Sequence, residues 1–190
     1  MRILMHMCCA PCATFPVSEL KQRGIEIEGL YYNPNIHPYE EFKKREEQVK
    51  KLGEIYEIKI HFLHDFEQEI WEELKTSRQN KNRCSMCYNK RLARLFKFAK
   101  LQNFDAVTTS LLISPYQNHE EIKELALKYS KKYNIDFYYE DFRDNYRKGQ
   151  QMAKEHGFYR QKYCGCILSL LETIEQISNE EKAKRNEVNG

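Results

Sequence analysis

Short apolar runs alternate with longer amphipathic ones along this chain. Residues 2–6 are mostly apolar, and residues 25–32 carry Ile25, Ile27, Leu30 and Tyr31, so both stretches predict strands. Between them, residues 14–23 are long enough for a helix that Gly24 would stop. Residues 38–52 place Phe42, Val49 and Leu52 at helical spacing before Gly53, and the alternation of Ile58, Ile60 and Phe62 predicts a third strand over 58–63. Asp65 is a candidate cap for a helix ending near Leu74. Leu92, Leu95, Phe96 and Phe98 draw an apolar stripe along a helix over 87–101, and residues 106–110 predict a fourth strand. A helix over 120–133, a strand over 135–139 and two closing helices over 146–156 and 165–177 complete the pattern.

Strands alternating with helices of this length pair in parallel through right-handed crossovers. The expected fold is therefore α/β, an open, mostly parallel sheet with helices on both faces. Ligands of such sheets bind beyond the carboxyl ends of the strands. The segment after the first strand, and Thr109-Ser110 with the loop 114–118 after the fourth, fall on that rim. Residues 1–178 are expected to form one catalytic α/β domain, and the polar tail 179–190 to fray. With 190 residues, a mean hydropathy of −0.79 and no apolar run of membrane length, the expectation is a soluble, cytoplasmic protein without a membrane partner.

Cysteine usage changes the picture more than charge does. The formal net charge is +3, whereas the 7 Cys fall in three tight groups: Cys8, Cys9 and Cys12, then Cys84 and Cys87, then Cys164 and Cys166. In a chain read as intracellular, such groups point to metal or redox chemistry rather than a disulfide framework. Cys84-x2-Cys87 has the spacing that brings two thiolates to one metal, and the first group offers more sulfurs on one turn than a single mononuclear site takes. On spacing alone, a structural zinc site and an iron-sulfur cluster are equally open. Cys164-Gly165-Cys166 suits a strained redox disulfide or two ligands to one metal, and Arg160, Lys162 and a helix start would lower its thiol pKa values.

Residues 75–104 contain no Asp or Glu but hold Lys75, Arg78, Lys81, Arg83, Lys90, Arg91, Arg94, Lys97 and Lys100 around the second Cys group. A polyanion held there would lie beside the metal, with Tyr88 and the aromatic-basic stretch from Phe158 to Tyr163 offering faces to unstacked bases. His6 reads either as a partner of the thiols or as a core histidine. His37 falls in a rim loop, Asp141 is a candidate oxygen ligand, and Asp144 is a candidate helix cap.

Five blocks, His6-Met7-Cys8-Cys9-Ala10-Pro11-Cys12, Tyr32 to Pro38, Arg83 to Tyr88, Thr109 to Tyr116 and Tyr159 to Cys166, together resemble the signature of the cobalamin-independent epoxyqueuosine reductases, the QueH family. They span nearly the whole chain apart from the tail. The resemblance implies a Rossmann-like, nucleotide-hydrolase-like fold and reduction of the epoxide of epoxyqueuosine to queuosine in the anticodon loop of a tRNA with a G-U-N anticodon. It also implies a 4Fe-4S cluster on Cys8, Cys9, Cys84 and Cys87, with Cys164 and Cys166 as a redox pair, and an unidentified electron donor. Enzymes of this fold that adenylylate tRNA carry a Ser-Gly-Gly phosphate loop after the first strand. The chain has Met7-Cys8-Cys9-Ala10-Pro11-Cys12 there, which disfavours ATP chemistry.

Removing an epoxide oxygen takes two electrons and two protons, and a 4Fe-4S cluster passes one electron at a time. The Cys164/Cys166 dithiol is one source of the pair. The alternative is a second, mononuclear iron held by Cys12 and one or both of Cys164 and Cys166, with Asp141 as a further candidate ligand, that binds the oxygen as a Lewis acid while the cluster feeds it electrons. Two readings from other classes stand beside the reductase: a zinc-stabilised RNA-binding module without catalysis, and a thiol-disulfide oxidoreductase acting on proteins.

Overall fold

A computed structural model of the chain describes residues 1–64 and 82–188. The predicted helix from Asp65 to Leu74, together with Lys75, Arg78 and Lys81, lies outside the described residues. Five parallel strands form one open sheet: β1 (Arg2–His6), β2 (Glu26–Tyr31), β3 (Ile60–Phe62), β4 (Ala106–Thr109) and β5 (Asp136–Phe137), in spatial order β3-β2-β1-β4-β5. Ile3 pairs with Ile27 of β2 on one side and with Ala106 of β4 on the other, and His6 stands opposite Leu30 and Thr109. The strand order reverses between β1 and β4, the switch point where clefts open in sheets of this kind.

Helices α1 (Ala10–Gln22), α2 (Tyr39–Ile55), α3 (Arg83–Leu101), α4 (His119–Tyr133), α5 (Tyr146–Glu155) and α6 (Ile167–Val188) surround the sheet, with short 3-10 turns at Ser110–Ile113 and Arg143–Asn145. Strand side chains alternate between two cores. Leu4, Leu30 and Val107 pack with Leu92, Leu95 and Phe96 of α3 and Ile122 of α4. Met5, Ile27 and Tyr31 pack with Val17 and Leu20 of α1 and with Val49 and Leu52 of α2. Gly149 lets α5 pack tightly on α1, since an added Cβ would lie 2.9 Å from Ile113 and 3.2 Å from Phe15.

Several helix boundaries differ from the sequence expectation, α2 among them, which runs through its expected stop at Gly53 to Ile55, and two of the differences matter to the thiols. The first helix begins at Ala10, because Pro11 at its first turn has a pre-set φ and no N–H left to satisfy, so Cys12 is helical. The third begins at Arg83, placing both Cys84 and Cys87 on its first turn. The last helix runs on to Val188, so the segment expected to fray continues it. Among the described residues, no helix is long and apolar enough to cross a membrane.

Candidate metal centre

Strand β1 delivers Cys8 and Cys9 straight to the switch point, and the first turn of α1 brings Cys12 back over them. The three sulfurs lie within 4.8 Å of one another, with Cys8 Sγ 3.7 Å from Cys9 Sγ. Backbone and side-chain contacts fix them there. The Cys8 N–H donates to Ser110 Oγ (3.1 Å), whose hydroxyl donates to Cys8 Sγ (3.5 Å), tying the thiols to the end of β4. Gln161 donates from its amide to Cys9 Sγ at 2.9 Å. Hydrogen bonds from Cys12 and Cys9 draw the Cys8 thiol well below its usual pKa, burial pushes Cys9 up to about 12, and donation toward Cys8 pushes Cys12 up. The triad therefore favours one thiolate, at Cys8, that two neighbouring thiols solvate.

The other two groups reach the same place. Cys87 accepts a hydrogen bond from Asn35 Nδ2 at 3.3 Å, and Arg91, one turn further along α3, donates to Asn35 Oδ1 at 2.9 Å. Arg91 is 4% exposed. Burial opposes its charge, but Cys87, Cys8 and Cys164 outweigh burial and hold its pKa above the ordinary guanidinium value. Arg91 lines the same cavity as Cys8 and Cys164 and is joined to Cys87 through Asn35, so its charge acts on a sulfur from each of the three Cys groups. Its Nε has no hydrogen-bond partner, nor does the buried Oε1 of Gln161.

Cys164 and Cys166 flank Gly165, whose φ of +130° is open only to glycine and whose added Cβ would lie 2.9 Å from Arg45 Nη1. Arg45 is 1% exposed. It donates to the carbonyls of Cys164 (2.8 Å) and Tyr163 (3.1 Å) and pairs with Glu41 at 2.7 Å. The His37 N–H donates to the Gly165 carbonyl at 2.8 Å, and Tyr163 donates its hydroxyl to the His37 carbonyl. Both cysteines are free thiols, and Cys166 Sγ accepts from the Ser169 N–H at 3.4 Å. Burial pushes the Cys164 thiol up despite Arg91, the reverse of the expected lowering.

Cys8, Cys12 and Cys164 line one cavity of about 380 Å³, together with Arg91, Tyr116, Gln117, Tyr146, Gln150, Arg160 and Lys162. Its size is that of a small-ligand pocket, roughly 300–1,000 Å³. Gln117 donates toward Cys164 Sγ across 4.0 Å and is held from behind by the Tyr88 hydroxyl at 2.9 Å.

Several residues singled out in the sequence stand elsewhere. Cys84 is exposed and lies outside the tight thiol triad. Asp141 does not line the cavity: Arg143 grips it through two nitrogens, at 2.5 to 3.0 Å, and draws its carboxyl down to about 2. His6 is a satisfied core histidine, with Nδ1 3.1 Å from Thr109 Oγ1 and Nε2 3.1 Å from the Tyr32 carbonyl. Burial lowers its pKa to about 4. His37 is buried rather than facing a ligand, and the start of α5 has no side-chain cap, so Asp144 does not cap it. The aromatic faces expected for bases point inward: Tyr88 and Phe158 are buried, and Tyr159 donates to Glu41. The described part of the basic block is not one face either, because Arg83 pairs with Glu172 (2.6 Å) and Arg91 turns in toward the thiols.

The family model described as epoxyqueuosine reductase QueH matches residues 3–172. The chain belongs to the epoxyqueuosine reductase QueH family. Curated relatives named epoxyqueuosine reductase QueH include that of Thermotoga maritima, 32% identical over 182 residues and covering 92% of this chain and 93% of that protein. The protein of that name from Acinetobacter baylyi is 33% identical over 182 residues, covering 90% of this chain and 82% of its own. Membership makes the chain an enzyme of the oxidoreductase class. A crystal structure described as a predicted subunit of tRNA methyltransferase from Methanocaldococcus jannaschii shares the fold, with a TM-score of 0.52 at 12% identity over 82% of this chain and 75% of that one.

The donor set at the switch point fits an iron-sulfur group. Thiolates are its ordinary ligands, and a buried cation whose charge acts on sulfurs from three segments offsets the charge that such a group brings into a site shielded from water.

Proposed function

We propose that this chain reduces the epoxide of epoxyqueuosine in the anticodon loop of a tRNA, leaving an alkene in queuosine and releasing the oxygen as water. The reaction consumes two electrons and two protons. The observation that carries the reading is that Cys8, Cys12, Cys164 and the buried guanidinium of Arg91 line one cavity, with Cys87 joined to Arg91 through Asn35. A free-standing thiol-disulfide site has no use for seven thiols.

Cys8, Cys9, Cys84 and Cys87 are the proposed ligands of a 4Fe-4S cluster, and Cys12 stands close enough to Cys8 and Cys9 to serve in the same set. When bound, such a cluster supplies electrons one at a time from an external donor. The electron pair is assigned either to the Cys164/Cys166 dithiol, which would be oxidised to a disulfide and re-reduced by the donor, or to two successive electrons through the cluster, with a mononuclear iron on Cys12, Cys164 and Cys166 acting as a Lewis acid. Asp141 joins that iron only by releasing Arg143.

The chain's own residues do the rest. The cavity takes one unstacked nucleotide and keeps bulk water from it, and loop bases leave their stack at little cost. Gln117 and Gln150 offer polar groups to the modified base, and Arg160 and Lys162 bring positive charge to the RNA backbone. In the dithiol reading, the Cys164 thiol lines the cavity and its raised pKa keeps a proton there for the departing oxygen. A tRNA with a G-U-N anticodon is the proposed substrate.

The test is to load the protein anaerobically with iron and sulfide, add a reductant and tRNA containing epoxyqueuosine, and analyse the nucleosides. Queuosine must form in proportion to enzyme turnover. An iron-loaded protein that binds this tRNA and leaves the epoxide intact would refute the assignment. Zinc in place of iron would favour the RNA-binding module instead.

A further inference from the structure

The mouth of the cavity carries an aromatic group that the thiol chemistry does not use. Tyr116 is 80% exposed, the most exposed aromatic ring among the described residues. Its loop is nevertheless fixed. The Tyr116 N–H donates to Ser114 Oγ (3.3 Å), the Gln117 N–H to the Ser114 carbonyl (3.4 Å) and the Asn118 N–H to the Tyr88 hydroxyl (3.1 Å). Asn118 in turn caps α4, its Oδ1 accepting from the Glu121 N–H at 3.2 Å. A braced loop therefore holds a large ring in water, where it adds little to the folding of the domain. Tyr146 packs against that ring in a T-shaped contact, with centroids 6.0 Å apart and planes at 86°, which covers at most one face of Tyr116 and leaves the other free of this contact. Both tyrosines line the cavity with Cys164, Arg160 and Lys162.

On the reading of the substrate as an anticodon loop, we propose that Tyr116, braced by Tyr146, is a stacking platform for the unpaired base next to the reacting nucleotide, with Arg160 and Lys162 on the adjoining phosphates. A cavity of about 380 Å³ admits one base and not a strand. Drawing the modified base down to the thiols takes it from its neighbour, whose face is left in water. A fixed ring at the mouth restores that lost stacking and offsets the cost of extrusion. Every base has a π-face, so the platform is indifferent to the identity of the neighbour and leaves discrimination to the cavity. Phe158, Tyr159 and Tyr163, the rings closest to Arg160 and Lys162 in sequence, are occupied in packing or hydrogen bonds to Glu41 and His37. Tyr116 thus takes the role that those rings cannot.

The test uses the full chain and a labelled anticodon stem-loop RNA carrying a fluorescent purine analogue next to the wobble nucleotide, read by anisotropy and by quenching of the analogue. Tyr116→Ala is expected to weaken binding about five- to hundredfold and to abolish the quenching, while Tyr116→Phe stays within about twofold. Lys162→Ala is expected to lower the slope of log affinity against log salt by about 0.7 per phosphate, which Tyr116→Ala leaves unchanged. If the wild type binds and Tyr116→Ala binds equally well, or if Phe fails as Ala does, the platform is wrong and the proposed substrate stands. A wild type with no affinity for the RNA overturns the substrate assignment and the platform with it.

Discussion

Replacing Arg45 by Met tests how the Cys164–Cys166 loop is held. The guanidinium is 1% exposed, and its partner Glu41 is 8% exposed. Three contacts are lost at once: Nε to Glu41 at 2.7 Å, Nη1 to the Cys164 carbonyl at 2.8 Å and Nη2 to the Tyr163 carbonyl at 3.1 Å. Removing one partner of a buried pair leaves the other charge uncompensated and costs about 3–5 kcal/mol. Two carbonyls losing a charged donor belong to the same loss, so the figures overlap and do not add. A loss of about 4 kcal/mol is a large share of a total stability of about 5–15 kcal/mol. In urea the midpoint should fall by about 2 M if the slope is near 2 kcal/mol/M. The double variant Arg45→Met with Glu41→Gln should recover about 1–3 kcal/mol, because the orphaned charge is then gone. With its carbonyls released, the loop should also expose Cys166, which the intact loop covers in part, to faster alkylation. A loss under about 1 kcal/mol, with unchanged alkylation, would refute the clamp.

Gly165→Ala should disturb the same loop from the other side, because alanine resists φ of +130° and its Cβ meets Arg45 at 2.9 Å. A destabilisation of about 1–3 kcal/mol is expected in chemical denaturation; a wild-type midpoint would show that the turn is free to relax. Arg91→Gln should lower iron and sulfide retention or shift the midpoint potential of the loaded protein negative by at least about 59 mV, a tenfold change for one electron. Arg91→Lys should keep both nearer to wild type, so equal losses in the two variants would show that charge is not what matters. Burial raises the Glu28 pKa, but Arg2 and His61 outweigh it and the carboxyl ends below its ordinary value. Its stabilisation is therefore present above the unfolded pKa of 4.5 and fades as pH falls through the folded value. Glu28→Gln should accordingly be less stable than wild type at pH 7 and converge with it in acid, and a constant difference across that range would contradict the assignment.

Much of the fold was legible in the sequence, since strand and helix periods differ and Gly24 ends the first helix, although Gly53, read as a stop, lies inside α2. The parallel sheet, its rim and the three thiol groups all follow from local pattern. What was not legible concerns polar groups turned inward. Arg45 falls three residues after Phe42 and four before Val49, and Arg91 falls four before Leu95, so both sit on apolar stripes. That spacing was the available signal, and reading Arg91 only as part of a basic surface missed it. Asp141 read as a ligand because it follows the last strand, and the loop conformation that closes its pair with Arg143, two residues on, is not encoded in spacing. Tyr88 read as a stacking face although Leu92 and Leu95 continue its stripe toward the core. Tyr116 lay in the predicted rim loop, but exposure at a cavity mouth is a property of the assembled sheet and not of its neighbours in sequence.

If thiols from three distant segments build one iron-sulfur site, protein purified without oxygen carries iron and acid-labile sulfide, which chemical analysis for iron, zinc and sulfide would measure. About four iron and about four sulfide per chain are expected, with one further iron where the mononuclear site is filled, and loss of the cluster in Cys8→Ser and Cys87→Ser. Zinc with neither iron nor sulfide would contradict it.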